Sequence, residues 1–225
     1  MSTVGYAFRR GVSYAILGEG VVILDVAANR YFLASKAASD ALQKASSGRD
    51  IADAEHAALE PLIERGILFA VPGGSAIAPA PSNLPIGDIL NEEPRKPRWR
   101  DFFHVLYDIV LYERRLRRSS LSKLLGKRGS RQFARRRKSP RDDAAVSRSI
   151  AFAYRRAGLL FPTIDRCLPR SLALASTLAR RGIECDLVLG VALGPFSAHC
   201  WVQKEGVVLN DSLEHVRNFT PILVV

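Results

Sequence analysis

The chain has 225 residues, of which 48% are hydrophobic and 24% charged, and its formal net charge is +11. This composition excludes a disordered chain, because the apolar fraction can supply one good core or two modest ones. The longest apolar run near the middle, FFHVLYDIVLY, is too short to span a bilayer, and the N-terminus has no signal-peptide pattern. We therefore expect a cytoplasmic protein without a membrane span.

Residues 1–71 predict a small domain of three strands followed by helices. The apolar runs VSYAILG and GVVILDVAANRYFLAS are broken at residues 18–20 and 27–29, which indicates three short strands joined by tight turns. Ser35 stands at a helix N-cap position before KAASDALQKAS. A second helix, DAEHAALEPLIERG, places Ala58, Leu59, Leu62 and Ile63 on one face.

This order of elements resembles the PqqD-like, winged-helix-like domain that recognises leader peptides in peptide-modifying systems. The resemblance implies that a leader peptide adds as an extra strand beside the third strand, residues 30–34, and packs against the last helix, residues 55–65. His56 on that helix is interpreted as a surface residue rather than a ligand. The implied leader-binding residues are Arg30, Tyr31, Phe32, Leu33, Leu59, Leu62 and Ile63.

The next segments predict a linker and a helical scaffold. Residues 72–97 are rich in Pro, Gly and Ala without sustained periodicity, as in a linker. The stretches WRDFFHVLYDIVLYERRLRR and AAVSRSIAFAYRRAGLLFP then show apolar spacing for helices with one buried face. Neither helix carries a catalytic constellation. We assign residues 98–225 to a second domain.

Basic residues are concentrated in residues 95–141, which hold 17 Lys or Arg against three acids. Such a field attracts a polyanion, an acidic peptide or an acidic partner, and it also fits a solvated helix face with a flexible basic loop. Aromatic residues do not interleave with the densest run, RRRKSPR, which argues against a stacking platform for single-stranded nucleic acid. We therefore predict that the protein has no nucleic-acid partner. The alternative is a basic protein that associates with nucleic acid.

Cys167 precedes a predicted helix, DRCLPRSLALASTLARRG. Pro169 has no N–H to donate and belongs in the first turn, so the helix begins little earlier than Asp165, and Gly182 ends it. A thiol at a helix N-terminus meets unpaired N–H groups and the positive end of the helix dipole, which lower its pKa. These groups could also stabilise an oxyanion. The alternative is that Cys167 is a buried, inert thiol.

The segments after this helix predict a strand, CDLVLGVAL, and a hairpin, SAHCWVQKEGVVLND. A three-residue loop with Gly206 in the left-handed position would set His199 directly opposite Asp211. By strand alternation His199 and Trp201 then share one face, while Cys200 points away into the core. Cys185 is also predicted to be structural. The cysteines at 167, 185 and 200 form neither a CxxC metal motif nor an even disulfide set.

A thiol at a helix start, an imidazole on a strand and a carboxylate on the next strand are the parts of a Cys-His-Asp hydrolase. The imidazole takes the thiol proton, the carboxylate orients the imidazole, and the thiolate attacks a carbonyl. We predict Cys167 as nucleophile, His199 as general base and then acid, and Asp211 as the orienting group. The alternative is a non-catalytic binding module that only delivers a peptide.

This order is similar to that of transglutaminase-like cysteine peptidases. More narrowly, DRCLPRSLALASTLARRGI, LVLGVALGPFSAHCWVQ and GVVLND resemble the B proteins of lasso-peptide biosynthesis, in the form that fuses leader recognition to the peptidase. The resemblance implies an α+β protein whose second domain is a transglutaminase/papain-like cysteine peptidase with an antiparallel sheet. Cys200 departs from it, since a small residue such as alanine is expected there.

The resemblance also implies a reaction and its partners. The peptidase would hydrolyse the leader-core bond of a ribosomal lasso precursor and free the core α-amine. A cyclase related to asparagine synthetase would then join that amine to an Asp or Glu side chain. No metal and no cofactor are expected in the reaction.

Overall fold

The computed structural model describes residues 4–72, 77–80, 84–89, 99–132, 143–160 and 166–225. The chain divides into two compact units. One comprises Met1–Ser82, Val191–Phe196 and Thr220–Leu223, and the other comprises Asn83–Gly190, Ser197–Phe219 and Val224–Val225. Across the described residues, no helix combines the length and the apolar character needed to cross a membrane.

The N-terminal part contains the three strands and two helices that the sequence predicts, together with two further strands. Its elements are β1 (Val4–Phe8), β2 (Val12–Leu17), β3 (Gly20–Asp25), β4 (Arg30–Leu33), α1 (Lys36–Ser46), α2 (Asp53–Glu64) and β5 (Leu68–Pro72). Strands β1 and β5 pair antiparallel, which the sequence analysis missed. The winged-helix description stays a prediction.

Strands β2, β3 and β4 form a separate antiparallel sheet in that order, so β4 is an edge strand in the described part of the chain. The central strand β3 is almost continuously buried because apolar residues fill both of its faces. Ser35 caps α1 as predicted, since its side chain accepts a hydrogen bond from the Ala38 N–H at 3.3 Å. Tyr14, Ile23, Leu42 and Leu68 are among the residues that form the core of this unit.

The remaining elements are mostly helical up to residue 180 and mostly strands after it. They are β6 (Gly87–Asp88), α3 (Trp99–Arg118), α4 (Leu121–Gln132), α5 (Asp143–Leu160), α6 (Cys167–Arg180), β7 (Asp186–Ala192), β8 (Ser197–Lys204), β9 (Val207–Val208), α7 (Leu213–Val216) and β10 (Thr220–Val224). Within the described residues the sheet runs in the order β10-β7-β8-β9-β6. The protein is therefore mixed α+β, as predicted.

Helices α3, α5 and α6 pack together around a buried carboxylate. Asp108 on α3 accepts hydrogen bonds from Arg180 at 2.5 Å and from Thr177 at 3.0 Å, both on α6. Tyr154 on α5 shares a hydrogen bond with Thr177 at 2.9 Å. A nearly buried charge is tolerated here because it is paired and hydrogen-bonded. This polar contact fixes the orientation of α6, the helix that begins at Cys167.

The predicted register of the β8–β9 hairpin is wrong by one residue. Lys204 lies opposite Val207, so the loop contains two residues instead of the expected three. Both loop residues, Glu205 (φ 52°) and Gly206 (φ 79°), have positive φ, as in the two-residue hairpin turns that match strand twist. The predicted direct pairing of His199 with Asp211 in the strand ladder is therefore not formed.

The segment predicted as a linker is not wholly irregular. Gly87 and Asp88 form β6, which pairs in parallel with β9. The sheet thus contains one parallel pair, whereas the sequence analysis expected an antiparallel sheet. Asp88 also accepts a hydrogen bond from the Leu213 N–H at 2.7 Å, at the start of α7. The sequence did not predict β6, because a strand of two residues gives no periodic pattern within a proline-rich segment.

Candidate active site

Cys167 is the first residue of helix α6, as the position of Pro169 indicated. Arg166 is the N-cap, Pro169 lies in the first turn, and the helix ends before Gly182 with φ 76°. The buried face of α6 includes Ser171, Leu172 and Leu178. The helix therefore presents the thiol from a firmly packed segment.

The thiol of Cys167 hydrogen-bonds the imidazole of His199. Burial raises the pKa of this thiol, but four effects lower it: the hydrogen bond and the charge of His199, and the backbone N–H groups of Cys200 and Leu168. The balance holds the pKa of Cys167 below its ordinary value. The N–H of Leu168 belongs to the first turn of α6, so the predicted effect of the helix N-terminus is present.

His199 lies between Cys167 and Asp211. Its Nε2 donates to Asp211 Oδ2 at 2.5 Å, and its side chain also hydrogen-bonds Cys167. Burial lowers the pKa of His199, but the hydrogen bonds and negative charges of Asp211 and Cys167 outweigh it and raise the pKa to about 9. The rings of Trp201 and Phe219, with centroids 6.1 and 5.0 Å from the imidazole, limit its exposure.

Asp211 is held by local contacts just outside the β8–β9 ladder. Its Oδ1 accepts a hydrogen bond from the Ser212 N–H at 2.7 Å. His215 Nδ1 lies 3.1 Å from each carboxylate oxygen, so Asp211 stands between two imidazoles. Burial raises the pKa of Asp211, yet the hydrogen bond to His199, the Ser212 N–H and both histidine charges lower it below its ordinary value.

A second polar contact ties the strand that carries His199 to the helix that carries Cys167. Ser171 Oγ donates to the Cys200 carbonyl at 2.8 Å and accepts from Asn210 Nδ2 at 2.8 Å. Asn210 Oδ1 accepts from the Val202 N–H, also at 2.8 Å. Ser171 is fully buried, so its hydroxyl depends on these partners. The network holds α6, β8 and the segment before Asp211 in one arrangement.

Arg170 adds a positive charge beside the cluster. Burial lowers the pKa of its guanidinium, and the negative charges of Asp211 and Cys167 oppose that effect. The position follows from helix geometry, because Arg170 is three residues after Cys167 on α6 and therefore on the same side. Its charge favours the anionic forms of both neighbours.

The structure brings the three predicted site residues together, although their roles in a reaction stay a prediction. Cys185 and Cys200 are buried, as predicted. His215, expected from the sequence to be simply exposed, is exposed but also contacts Asp211. The spacing of four residues between Asp211 and His215, with Ser212 as an N-cap between them, was the available signal.

The predicted leader-binding residues lie on β4 and α2, with very different exposure. Leu59 and Leu62 are core residues of their unit and Ile63 packs against that core, so these side chains support the strands. Arg30 and Leu33 on β4 are exposed. Phe32 packs on the core, and the Tyr31 ring lies 5.5 Å from that of Phe196. His56 is half-buried, and its Nδ1 hydrogen-bonds the Tyr6 hydroxyl.

One group in the described residues has the side chains to hold a metal ion. His199, Asp211 and His215 each offer a ligand atom, and these atoms lie within 4.8 Å of one another. Two imidazoles and a carboxylate are a ligand set that zinc accepts. Cys167 is not part of this group.

A comparison with known protein families adds to the description of the fold and of the cluster formed by Cys167, His199 and Asp211. A family model described as the transglutaminase-like superfamily matches residues 108–224, just over half of the chain. The chain therefore belongs to the transglutaminase-like superfamily, which includes cysteine peptidases.

Among curated proteins, the chain is similar to the microcin J25-processing protein McjB of Escherichia coli. The two are 46% identical over 46 residues, which is 20% of this chain and 22% of the relative. The alignment thus spans less than a quarter of the relative's length. No solved structure matches the chain significantly.

Proposed function

We propose that this protein is a leader peptidase of lasso-peptide biosynthesis that uses Cys167, His199 and Asp211 as a catalytic triad. The observation that carries the proposal is the position of His199, which hydrogen-bonds both Cys167 and Asp211. Membership of a superfamily with cysteine peptidases and the similarity to a microcin-processing protein support it.

The proposed reaction begins with proton transfer from the Cys167 thiol to His199 Nδ1. The thiolate attacks the carbonyl carbon of the scissile bond, and the tetrahedral intermediate collapses when the imidazolium donates its proton to the leaving amine. The core peptide leaves with a free α-amine. His199 then deprotonates a water molecule that hydrolyses the thioester and releases the leader. Asp211 keeps Nε2 protonated and stabilises the imidazolium throughout.

The environment of Cys167 favours the charged states that this reaction needs. The lowered pKa of Cys167 and the raised pKa of His199 both favour the thiolate–imidazolium pair. The backbone N–H groups of Leu168 and Cys200 hydrogen-bond the sulfur and therefore stabilise the negative charge of the thiolate. Arg170 adds a nearby positive charge.

We further propose that the leader peptide binds as an additional strand on the edge of β4. Backbone groups on this edge would provide affinity, and exposed side chains such as Leu33 would provide selectivity. A tethered leader raises the effective concentration of the scissile bond at Cys167, so weak contacts at the reacting carbonyl suffice. The released core amine is the substrate that a cyclase related to asparagine synthetase would consume.

The test of catalysis is to incubate the protein with a cognate precursor and follow the peptide masses. We expect separate leader and core masses, and we expect Cys167→Ala to abolish cleavage while it retains leader binding. Cys185→Ala is the matched control, because Cys185 is buried and should not affect the chemistry. Unchanged cleavage by the Cys167→Ala protein would overturn the proposal.

The leader-binding edge is tested separately by fluorescence anisotropy with a labelled leader peptide. Leu33→Glu places a charge on the proposed edge, and we expect it to weaken binding by about tenfold or more. Leu84→Glu is the matched control, since Leu84 and Leu33 are 63% and 64% exposed. Equal affinity of both variants for the leader would place the peptide elsewhere.

A further inference from the structure

We propose that His199, Asp211 and His215 form a transition-metal site, best suited to Zn²⁺, whose occupation blocks the proposed peptidase reaction. The three ligand atoms already lie within 4.8 Å of one another. They are two imidazole nitrogens and a carboxylate oxygen, which with one water complete the four-coordinate shell of an open zinc site. The effect on cleavage rests on the proposed function, whereas the metal site itself does not.

Metal binding requires adjustments of the ligand separations, which now lie between 2.5 Å and at most 4.8 Å. Ligand atoms of a tetrahedral zinc site lie about 3.3 Å apart, as follows from zinc–ligand bonds of about 2.0–2.1 Å. His215 Nδ1 is already 3.1 Å from both oxygens of Asp211. The separation of 2.5 Å between His199 Nε2 and Asp211 Oδ2 must widen by roughly 1 Å. The side chain of His215 is 50% exposed and can rotate toward the metal without displacing the core.

The chemistry of each ligand is compatible with this exchange. The carboxylate of Asp211 can only accept, so His215 Nδ1 and His199 Nε2 carry the hydrogens in the metal-free state. On metal binding, His199 releases its Nε2 proton to solvent. The hydrogen on His215 Nδ1 moves to His215 Nε2. The metal then occupies the place of the two hydrogens that had faced Asp211.

The proposed site differs from the Cys167–His199 pair. Cys167 hydrogen-bonds His199, but it does not belong to the group of ligand atoms that His199, Asp211 and His215 form. The thiol is therefore not a ligand. With Nε2 on the metal, His199 keeps its remaining hydrogen on Nδ1 and cannot accept a proton from the thiol. Asp211, bound to the same metal, no longer orients the imidazole.

The experiment uses the untagged full chain in four forms: wild type, Cys167→Ala, His215→Ala and His104→Ala. Zn²⁺ binding is measured by calorimetry, and Co²⁺ binding by the visible absorption of a four-coordinate ion. We expect Cys167→Ala to bind as tightly as wild type. We expect His215→Ala to bind at least about tenfold more weakly, because one of three protein ligands is lost. His104 is exposed on α3 and outside the cluster, so His104→Ala should match wild type.

Two results would overturn the metal site. One is binding that disappears in Cys167→Ala and persists in His215→Ala, which would assign the metal to the thiolate. The other is the absence of binding to wild type at millimolar Zn²⁺. Circular dichroism spectra of each variant establish that weakened binding reflects a lost ligand and not unfolding. Because the decisive comparison uses protein without the thiol, it holds whether or not the protein cleaves a precursor.

Discussion

The strongest prediction concerns the reactivity of Cys167 and its dependence on His199. Replacing His199 by alanine removes a hydrogen bond and a positive charge that lower the pKa of the Cys167 thiol. Burial, which raises this pKa, remains, and only the N–H groups of Cys200 and Leu168 still oppose it. The His199→Ala protein should therefore contain far less thiolate at neutral pH than wild type.

The size of the effect follows from the thiolate fraction. A thiol with the ordinary pKa of about 8.5 is roughly 3% ionised at pH 7, and each unit of pKa depression raises that fraction about tenfold until it saturates. Wild-type Cys167, with a lowered pKa, should exceed this fraction, and the buried thiol of His199→Ala should fall below it. We expect alkylation of Cys167 at pH 7 to slow by at least about tenfold, which corresponds to about 1.4 kcal/mol.

The assay is the rate of iodoacetamide alkylation between pH 5 and 9, followed by intact mass and peptide mapping. Cys185 and Cys200 are buried, so a single fast adduct at Cys167 is expected. His104→Ala provides the matched control, because His104 is an exposed histidine outside the cluster. Identical rates for wild type and His199→Ala across this range would refute the proposed coupling of thiol and imidazole.

Three further predictions concern pH, the polar network and packing. Cleavage requires the Cys167 thiolate and the His199 imidazolium together, so kcat/KM should rise as the thiol loses its proton and fall as pH passes about 9, measured across pH 5–10. Asn210→Ala removes two hydrogen bonds, those with the Val202 N–H and Ser171 Oγ, and should lower the free energy of unfolding by about 2 kcal/mol in urea titrations. Asn218→Ala, which removes one exposed hydrogen bond, should cost less than about 0.5 kcal/mol. Gly190→Ala would place a Cβ 2.7 Å from the Trp201 ring and should lower the melting temperature, whereas Gly87→Ala has open space and should not.

Much of the fold could be predicted because its signals are local. The Ser35 cap, the apolar spacing of α2 and α3, and the start of α6 set by Pro169 each depend on a few adjacent residues. Interactions between distant parts of the chain were not predictable in the same way. Strand β1 pairs with β5, more than sixty residues later in the chain. Neither segment is followed by a turn that would indicate which strand it pairs with.

For the candidate site, the sequence indicated which residue types are present better than it indicated their contacts in space. The position of Cys167 at a helix start followed from sequence, because Pro169 restricts where the first turn lies. The contacts of Asp211 with His215 did not, since His215 lies beyond the predicted hairpin and was expected only to be exposed. The Ser171–Asn210 hydrogen bond joins residues 39 positions apart and depends on how α6 packs on β8. Such contacts are set by packing, which a local pattern does not specify.

His199 and Asp211 hydrogen-bond although the predicted hairpin register is wrong, and the reason is found in what positions the carboxylate. If the β8–β9 pairing continued, Cys200 and not His199 would lie opposite Asp211, but β9 ends at Val208. Beyond that point the Asn210 side chain occupies the Val202 N–H and binds Ser171. Ser171 is four residues after Cys167, on the same side of α6. The helix that presents the thiol therefore also anchors the segment that presents the carboxylate, so a displacement of α6 would move both groups relative to His199.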